Sequence, residues 1–109
     1  KKFSDQWAPK VIAELNDYQF KLVNIQNDFI WHKHIDTDEV FIVIEGEMFI
    51  EFKTETIKLE AGEMIVVPNG TEHRPFANDE ASIMLVEPRG IVNTGDKIDE
   101  LTAPNDQWI

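Results

Sequence analysis

The side chains with the clearest chemical potential in this sequence are its three histidines. His32 and His34 are separated by one residue in a strand-like run, and side-chain alternation along a strand would place both on the same face. Glu39 follows after four residues, a gap in which a short polar turn can bring the chain back toward the same point. His73 comes much later, just after the Asn69-Gly70 reversal. The spacing therefore allows three imidazoles and one carboxylate to converge.

A convergent set of three imidazoles and one carboxylate is a binding site for a divalent transition metal. Iron, manganese, nickel, copper and zinc all accept these ligands, so the ligand types alone do not select one. A six-coordinate metal held by four side chains keeps two positions for water, substrate or dioxygen. A His-x-His pair by itself is more often a solvated strand face than a metal site, so the prediction depends on the spacing of the whole set.

The elements that must position these residues are predicted to be β-strands. Short apolar stretches recur between Gly, Pro, Asn and Asp residues, and almost none has a sustained helical period. The predicted strands span residues 11–15, 20–26, 29–34, 39–45, 47–53, 56–59, 64–68, 72–76 and 81–87. Strands at such regular spacing indicate a sandwich or a closed barrel, because sheet edges must be paired or covered. Between Ser4 and Lys10 we expect one turn of helix, limited by Pro9.

Two runs of residues resemble the two conserved motifs of the cupin superfamily. They read His32-x-His34-x4-Glu39-x6-Gly46 and Gly62-x5-Pro68-x-Gly70-x2-His73. The resemblance implies an all-β fold of the cupin type, a double-stranded β-helix or jelly-roll barrel. It also implies a role for each motif residue: His32, His34, Glu39 and His73 as metal ligands, the glycines and Pro68 as turn residues. The chain departs from the fullest pattern at Gln26, where the first motif often begins with Gly, and at Ala77, where the second often ends with Asn.

Small single-domain cupins are often compared with mannose-6-phosphate isomerase, and that likeness bears on the substrate. Recognition of a sugar phosphate needs a cationic side chain, since charge-assisted bonds from Arg or Lys supply most of the phosphate contacts. Lys33 and Arg74 adjoin predicted ligands, but strand alternation points both away from the metal. We therefore interpret the isomerase-like resemblance as one of fold, which says little about chemistry.

The function that the resemblance favours is a metal-dependent enzyme, oxygenase- or isomerase-like, that acts on a small organic molecule inside the barrel. Iron-dependent dioxygenase chemistry is the first choice. Ile30, Phe41 and Val43 are predicted to share the face of the ligands, which gives a largely apolar pocket. No general acid or base is identified. The alternative is a non-catalytic module that binds or senses a small molecule and holds a structural metal.

Composition and charge exclude several other classes of function. The formal net charge is -11 and no Lys/Arg cluster is present, which argues against a nucleic-acid partner. The chain has no cysteine, so disulfides, thiolate catalysis and thiolate metal sites are excluded. No apolar run approaches the ~20 residues that span a bilayer, and the first residues lack the apolar core of a secretory signal. We therefore expect a cytoplasmic protein with no membrane partner.

The length of 109 residues predicts a single cupin domain over residues 1–109, with the barrel core at about 11–88. We expect the C-terminal tail, residues 89–109, to be ordered. Its apolar residues, which can pack on the barrel or on a second subunit, are Ile98, Leu101, Trp108 and Ile109.

One predicted strand is apolar on both faces. Val40, Ile42 and Ile44 lie on the face opposite to Glu39, and a strand of this kind needs cover on both sides. We therefore predict a homodimer that buries the second face. Trp7, Trp108 or the tail are candidates to contribute to that interface.

Overall fold

The computed structural model describes residues 5–97 and 99–108, and this part of the chain forms seven β-strands and no helix. The strands are β1 (Lys10–Leu15), β2 (Tyr18–Asp28), β3 (Glu39–Glu45), β4 (Glu47–Glu51), β5 (Thr56–Glu60), β6 (Met64–Val67) and β7 (Arg74–Pro88). The predicted all-β class is confirmed. None of the described segments is a helix of the length and apolar character needed to cross a membrane.

The long strand β7 connects the two layers of the fold. Five strands lie side by side in the order β1-β2-β7-β3-β6, and each pairs with its neighbour in antiparallel fashion. The first part of β7, from Arg74 to Phe76, pairs with β4, which in turn pairs with β5. Because one strand serves both layers, the sheet curls into a jelly-roll barrel, the architecture that the two motifs imply.

Apolar side chains from both layers fill the barrel. Alternate residues point inward, as in β3, where Phe41 and Val43 are buried while Ile44 is exposed. The buried core comprises Val23, Ile25, Phe41, Val43, Met48, Ile50, Leu59, Val67, Ala77, Ala81, Ile83 and Leu85. Polar side chains that share this interior must be satisfied by one another, by the backbone or by a bound group.

The segment that carries His32 and His34 is not the strand predicted for residues 29–34. It has one isolated bridge, in which the backbone groups of His32 and His73 bond to each other at 3.0 and 2.9 Å. No continuous ladder extends from this bridge, and the backbone N–H and C=O of Lys33, which point away from His73, bond to Asp96 of the tail. The strand prediction is therefore wrong for this segment.

Two other predicted elements differ from the structure. Residues 72–76 and 81–87 belong largely to the single strand β7, because the residues between them form an irregularity against β2 and not a turn. The predicted helical turn from Ser4 to Lys10 is absent from its described part, and Ser4 itself lies outside the described residues. Trp7 has a φ of 60°, and its N–H bonds to the carbonyl of Asn24, so this segment joins β2 beyond the end of β1.

The described parts of the tail contact the barrel at several points. Thr94 is fully buried, and Leu101 is partly buried. Trp108 forms a parallel bridge with Val11 of β1, while its side chain is 53% exposed. Ile98 and Ile109, which we predicted to pack as well, lie outside the described residues.

Candidate metal centre

The four predicted ligands come from three separate parts of the fold. Glu39 is the first residue of β3 and pairs with β6, so the sheet fixes its position. His32 and His73 are held side by side by their two backbone hydrogen bonds. The carbonyl of His34 accepts a hydrogen bond of 2.7 Å from the N–H of Gly70, in the turn that precedes His73. Backbone pairing therefore brings the three parts close to one another.

The four side chains meet in one buried cluster, in which each is at most 6% exposed. Ligand atoms of His32, Glu39 and His73 lie within 4.8 Å of one another. The Nε2 of His34 is 3.1 Å from the Oε1 of Glu39, and the Nε2 of His73 is 3.7 Å from the same oxygen. The structure thus brings together every ligand residue that the sequence predicts.

Three of the ligand atoms are buried without a hydrogen bond. They are the Nε2 of His34, the Oε1 of Glu39 and the Nε2 of His73. A buried polar atom that is left unpaired costs about 1–3 kcal/mol, so such atoms are rare and call for an explanation. Three of them around one point, with nitrogen and carboxylate donors, fit the requirements of a bound divalent transition metal.

Two backbone carbonyls orient the imidazole rings. The Nδ1 of His32 lies 3.0 Å from the carbonyl oxygen of Ile30, and the Nδ1 of His73 lies 2.8 Å from that of Thr71. A carbonyl can only accept a hydrogen bond, so in each ring Nδ1 carries the proton and donates it. The lone pair of each ring is then on Nε2. This is the orientation in which second-shell carbonyls commonly hold metal-binding histidines.

The buried surroundings keep His32 neutral and Glu39 ionised. Burial, reinforced by the nearby His73, lowers the pKa of His32 to about 4. Burial would raise the pKa of Glu39, but contacts with His34 and His73 outweigh it and hold that pKa well below its usual range. At neutral pH both groups are therefore in the protonation state that metal coordination requires.

A second buried pair, Lys21 and Glu87, lies next to Glu39 and is missing from the predicted site. Their side chains are 3% and 2% exposed, and the Lys21 Nζ is 2.6 Å from the Glu87 Oε2. Burial and the Glu39 carboxylate raise the pKa of Glu87 well above its usual value, and Lys21 offsets this in part. The strand pattern holds a signal for this residue, because Glu87 continues the inward row of Ile83 and Leu85 along β7.

An apolar cavity adjoins the cluster inside the barrel. It contains about 370 Å³ of empty space, its mouth included. The aromatic and polar residues of its wall are Trp7, Phe29, Phe41, His32, Glu39 and Asn93. Phe41 lines it as predicted, whereas Val43 belongs to the core and Phe29 takes the place predicted for Ile30. The Ile30 prediction fails because the segment lacks the regular alternation of a strand.

Residues of the N-terminal segment and of the tail form part of the cavity wall. The Trp7 ring stacks on Phe29 with 4.6 Å between the ring centroids, and Phe29 meets the His32 ring edge-on at 5.2 Å. The Asn93 side-chain amide donates hydrogen bonds of 2.9 Å to the carbonyls of Trp7 and Leu101. The N-terminal segment and the tail are thereby tied together beside the candidate metal centre.

Comparison with known proteins agrees with this architecture. Residues 21–88 match the family model of the cupin domain. The crystal structure of a cupin-2 domain containing protein from Shewanella frigidimarina is 57% identical in sequence and superposes with a TM-score of 0.80. That superposition covers 81% of this chain and 86% of the Shewanella chain.

Two curated relatives match at lower identity. The uncharacterized protein YdbB of Bacillus subtilis is 45% identical over 64 residues, which are 58% of this chain and 57% of YdbB. A putative dioxygenase of Saccharolobus solfataricus is 23% identical over 94 residues, which are 84% of this chain and 24% of that protein. The chain thus spans less than two thirds of either relative. The domain match and the Shewanella structure show that the chain belongs to the cupin family.

Proposed function

We propose that the chain binds one divalent transition metal through the Nε2 atoms of His32, His34 and His73 and the carboxylate of Glu39. The observation that carries this proposal is the convergence of three buried, unpaired ligand atoms at one point. Iron, manganese, nickel, copper and zinc all fit the donor set. Such a metal would supply a Lewis acid or a redox centre to a molecule bound beside it.

The chain's own residues prepare this site for a cation. The carbonyls of Ile30 and Thr71 accept the Nδ1 protons of His32 and His73, which leaves both Nε2 lone pairs free. Glu39 contributes one negative charge in a buried place, where contacts with His34 and His73 favour its ionised form. A divalent cation would bind that charge and also remove the cost of the unpaired nitrogens.

We propose further that the protein is an enzyme that acts on a small, largely apolar organic molecule in the adjoining cavity. Trp7, Phe29 and Phe41 supply aromatic walls, and His32 and Glu39 place the ligand cluster at the cavity surface. The amide of Asn93 is already bonded to backbone groups of the chain, so it contributes shape more than a free polar contact. A molecule with an apolar body and one polar group directed at the cluster suits this arrangement.

Oxygenase chemistry is favoured over isomerisation of a sugar phosphate. No Lys or Arg occurs among the described residues that line the cavity, so a phosphate would have no cationic partner there. Arg74 binds Glu51 and Asp28 instead, as expected from its outward direction. The similarity to a putative dioxygenase supports the same choice, although it covers 24% of that protein.

Metal analysis followed by an oxygen-uptake assay tests this function. The protein is purified without chelator, its metals are quantified, and the iron form is assayed against small diols, thiols and phenols. About one metal per chain with oxygen uptake above that of a Glu39→Gln variant supports the enzyme. One bound metal without turnover of any panel member would favour the alternative, a binding or sensing module. A chain that takes up no transition metal would contradict both.

We also propose that the protein is a homodimer. An apolar outer face extends across β2, β7, β3 and β6, and its members are Phe20, Leu22, Val40, Ile42, Ile44, Met64, Val66, Met84 and Val86. Ile44, Met64 and Val66 are about half exposed, at 49%, 55% and 49%. A contiguous apolar face of this kind is typical of an interface between subunits. Trp7, which we considered for this interface, lines the cavity instead.

A further inference from the structure

The His32-x-His34 segment lacks the support of a regular strand. On one side it is anchored by the bridge between His32 and His73 and by the hydrogen bond from Gly70 to the carbonyl of His34. Lys33, between the two histidines, directs its backbone N–H and C=O toward the tail. Its carbonyl accepts a hydrogen bond of 3.1 Å from the N–H of Asp96, and its N–H donates one of 3.3 Å to the Asp96 Oδ1. The second anchor of the segment is thus a residue of the tail.

Gly95, the residue before Asp96, lies directly against the same segment. A Cβ added to Gly95 would stand 2.2 Å from the carbonyl oxygen of Lys33 and 3.2 Å from the Cδ2 of His32. Cδ2 is the ring carbon bonded to Nε2, the atom proposed to bind the metal. Gly95 also has a φ of +63°, a conformation that other residues rarely adopt. The tail therefore approaches a proposed ligand as closely as a glycine allows.

The turn formed by residues 93–96, here called the tail turn, is itself fixed by buried polar contacts. The fully buried Thr94 donates through its Oγ1 to the carbonyl of Lys97 at 2.8 Å and contacts the Oγ1 of Thr102 at 2.7 Å. Asn93 bonds to the carbonyl of Trp7 and accepts from the N–H of Ala103. A turn held from several directions can act as a rigid support for the segment that it contacts.

We infer that the tail turn is a positioning element for the metal centre, which holds His32 and His34 at the geometry that coordination needs. The inference rests on the metal site proposed above. Metal ligands depend on outer groups that fix their orientation, and loss of such a group commonly weakens metal binding by about 10–100-fold. The tail turn lies beyond residues 21–88, the part that matches the cupin domain. Support for the site in this protein thus comes from outside the matched domain.

Replacement of Gly95 tests the close approach, with Gly62 as the matched control. Both glycines have positive φ, but a Cβ at Gly62 would have no neighbour within 4 Å. We expect Gly95→Ala to weaken Co²⁺ binding by at least about tenfold and to change the visible absorption spectrum of the Co²⁺ form. Gly62→Ala also introduces the strain of a positive φ, but without the clash. It should leave affinity within about twofold of the parent and the spectrum unchanged.

Asp96 provides a test that avoids backbone strain. Asp96→Ala and Asp96→Asn both remove one negative charge, but an asparagine keeps an oxygen that can accept the hydrogen bond from Lys33. We expect Asp96→Ala to bind Co²⁺ more weakly than Asp96→Asn, with the same change in the absorption spectrum as Gly95→Ala. Equal affinity and equal spectra for the two Asp96 variants would argue against the side-chain anchor.

A measurement without metal separates this inference from the proposed function. The chain has three histidines, so their ring resonances can be followed individually in labelled, chelator-treated protein by NMR. We expect Gly95→Ala and Asp96→Ala to shift the His32 and His34 ring signals, while Gly62→Ala and Asp96→Asn do not. If the parent binds no metal but these shifts occur, the metal proposal fails, and the tail turn still positions the rings of His32 and His34. If the ring signals match those of the parent in both Gly95→Ala and Asp96→Ala, the positioning role is overturned.

Discussion

The Nε2 of His34 lies 3.1 Å from the Oε1 of Glu39, and both atoms are buried without a hydrogen bond. The two groups are close enough to attract each other but are not aligned as donor and acceptor. Pairs that serve only to stabilise a core are normally hydrogen-bonded, because an unpaired buried atom is costly. The same orientation allows both atoms to bind one positively charged partner. The geometry of this pair therefore fits the cation site that we propose.

Removal of the Glu39 carboxylate should abolish stable metal binding. We expect Glu39→Gln to lower the metal content of purified protein at least about tenfold, since the site loses its one anionic ligand. Glu72→Gln is a matched control, because Glu72 precedes His73 but is partly exposed and pairs with Lys53 and Lys97. Elemental analysis of both variants, purified without chelator, checks the result. Equal metal content in the two variants would refute the assignment of Glu39.

Stability of the metal-free protein should fall when the pH drops below about 6.5. Because the pKa of His32 is lowered from 6.5 to about 4, the unfolded chain binds a proton that the folded one does not between these values. The contribution of His32 to the free energy of unfolding is fully present above pH 6.5. It is lost as the pH falls toward 4, and the loss amounts to about 3 kcal/mol. Urea unfolding of chelator-treated protein across this range measures it. In His32→Gln, the slope of the unfolding free energy against pH should correspond to about one proton fewer. An unchanged slope would show that His32 is not the source of the pH dependence.

The buried pair of Lys21 and Glu87 should be important for stability. Lys21→Met leaves the Glu87 carboxyl buried next to Glu39, and loss of one partner of such a pair costs about 3 kcal/mol. The double variant Lys21→Met/Glu87→Gln should recover most of that loss, because no unpaired charge remains. Arg89, whose partner Glu14 lies at the surface, supplies the control Arg89→Met with little expected effect. The free energies of unfolding are measured with denaturant at pH 8. Equal values for Lys21→Met and Arg89→Met would contradict the expected role of the buried pair.

A charge on the apolar outer face should prevent dimerisation. Met64→Glu places a carboxylate among apolar residues, which would have to be buried without a partner in the dimer. Ile35→Glu is the control, because Ile35 is 62% exposed in the loop after His34, outside the outer face. Sedimentation velocity at micromolar concentration should show a dimer for the parent and Ile35→Glu, and a monomer for Met64→Glu. A monomeric parent would rule out the dimer.

The candidate ligands could be predicted from the sequence because their spacing is local information. The first motif places His32 and His34 before a short turn and Glu39 after it, the second places His73 after a reversal, and the structure brings these four side chains together. Their binding of a metal stays a prediction. The strand bounds of β3, from Glu39 to Glu45, were equally accessible, because a run of alternating buried residues between turn residues has few other interpretations.

Other features depend on contacts between distant residues and are not visible in the sequence. Residues 29–34 form a single bridge with His73 and not the predicted strand, and the backbone groups of Lys33 bond to Asp96, more than sixty residues later. Lys21 and Glu87 are far apart in the chain, and although Glu87 continues an inward row of β7, neither segment shows that the two side chains meet. The close approach of Gly95 to His32 likewise follows from how the tail crosses the barrel. Local pattern cannot report tertiary contacts of this kind.

The most direct test of the metal centre is a crystal structure with anomalous diffraction measured at the absorption edge of the bound metal. We predict one anomalous peak inside the barrel, at about 2.0–2.2 Å from the Nε2 atoms of His32, His34 and His73 and from a carboxylate oxygen of Glu39. The absence of a peak at this point in metal-loaded crystals, or metal bound to surface carboxylates alone, would contradict the proposed site.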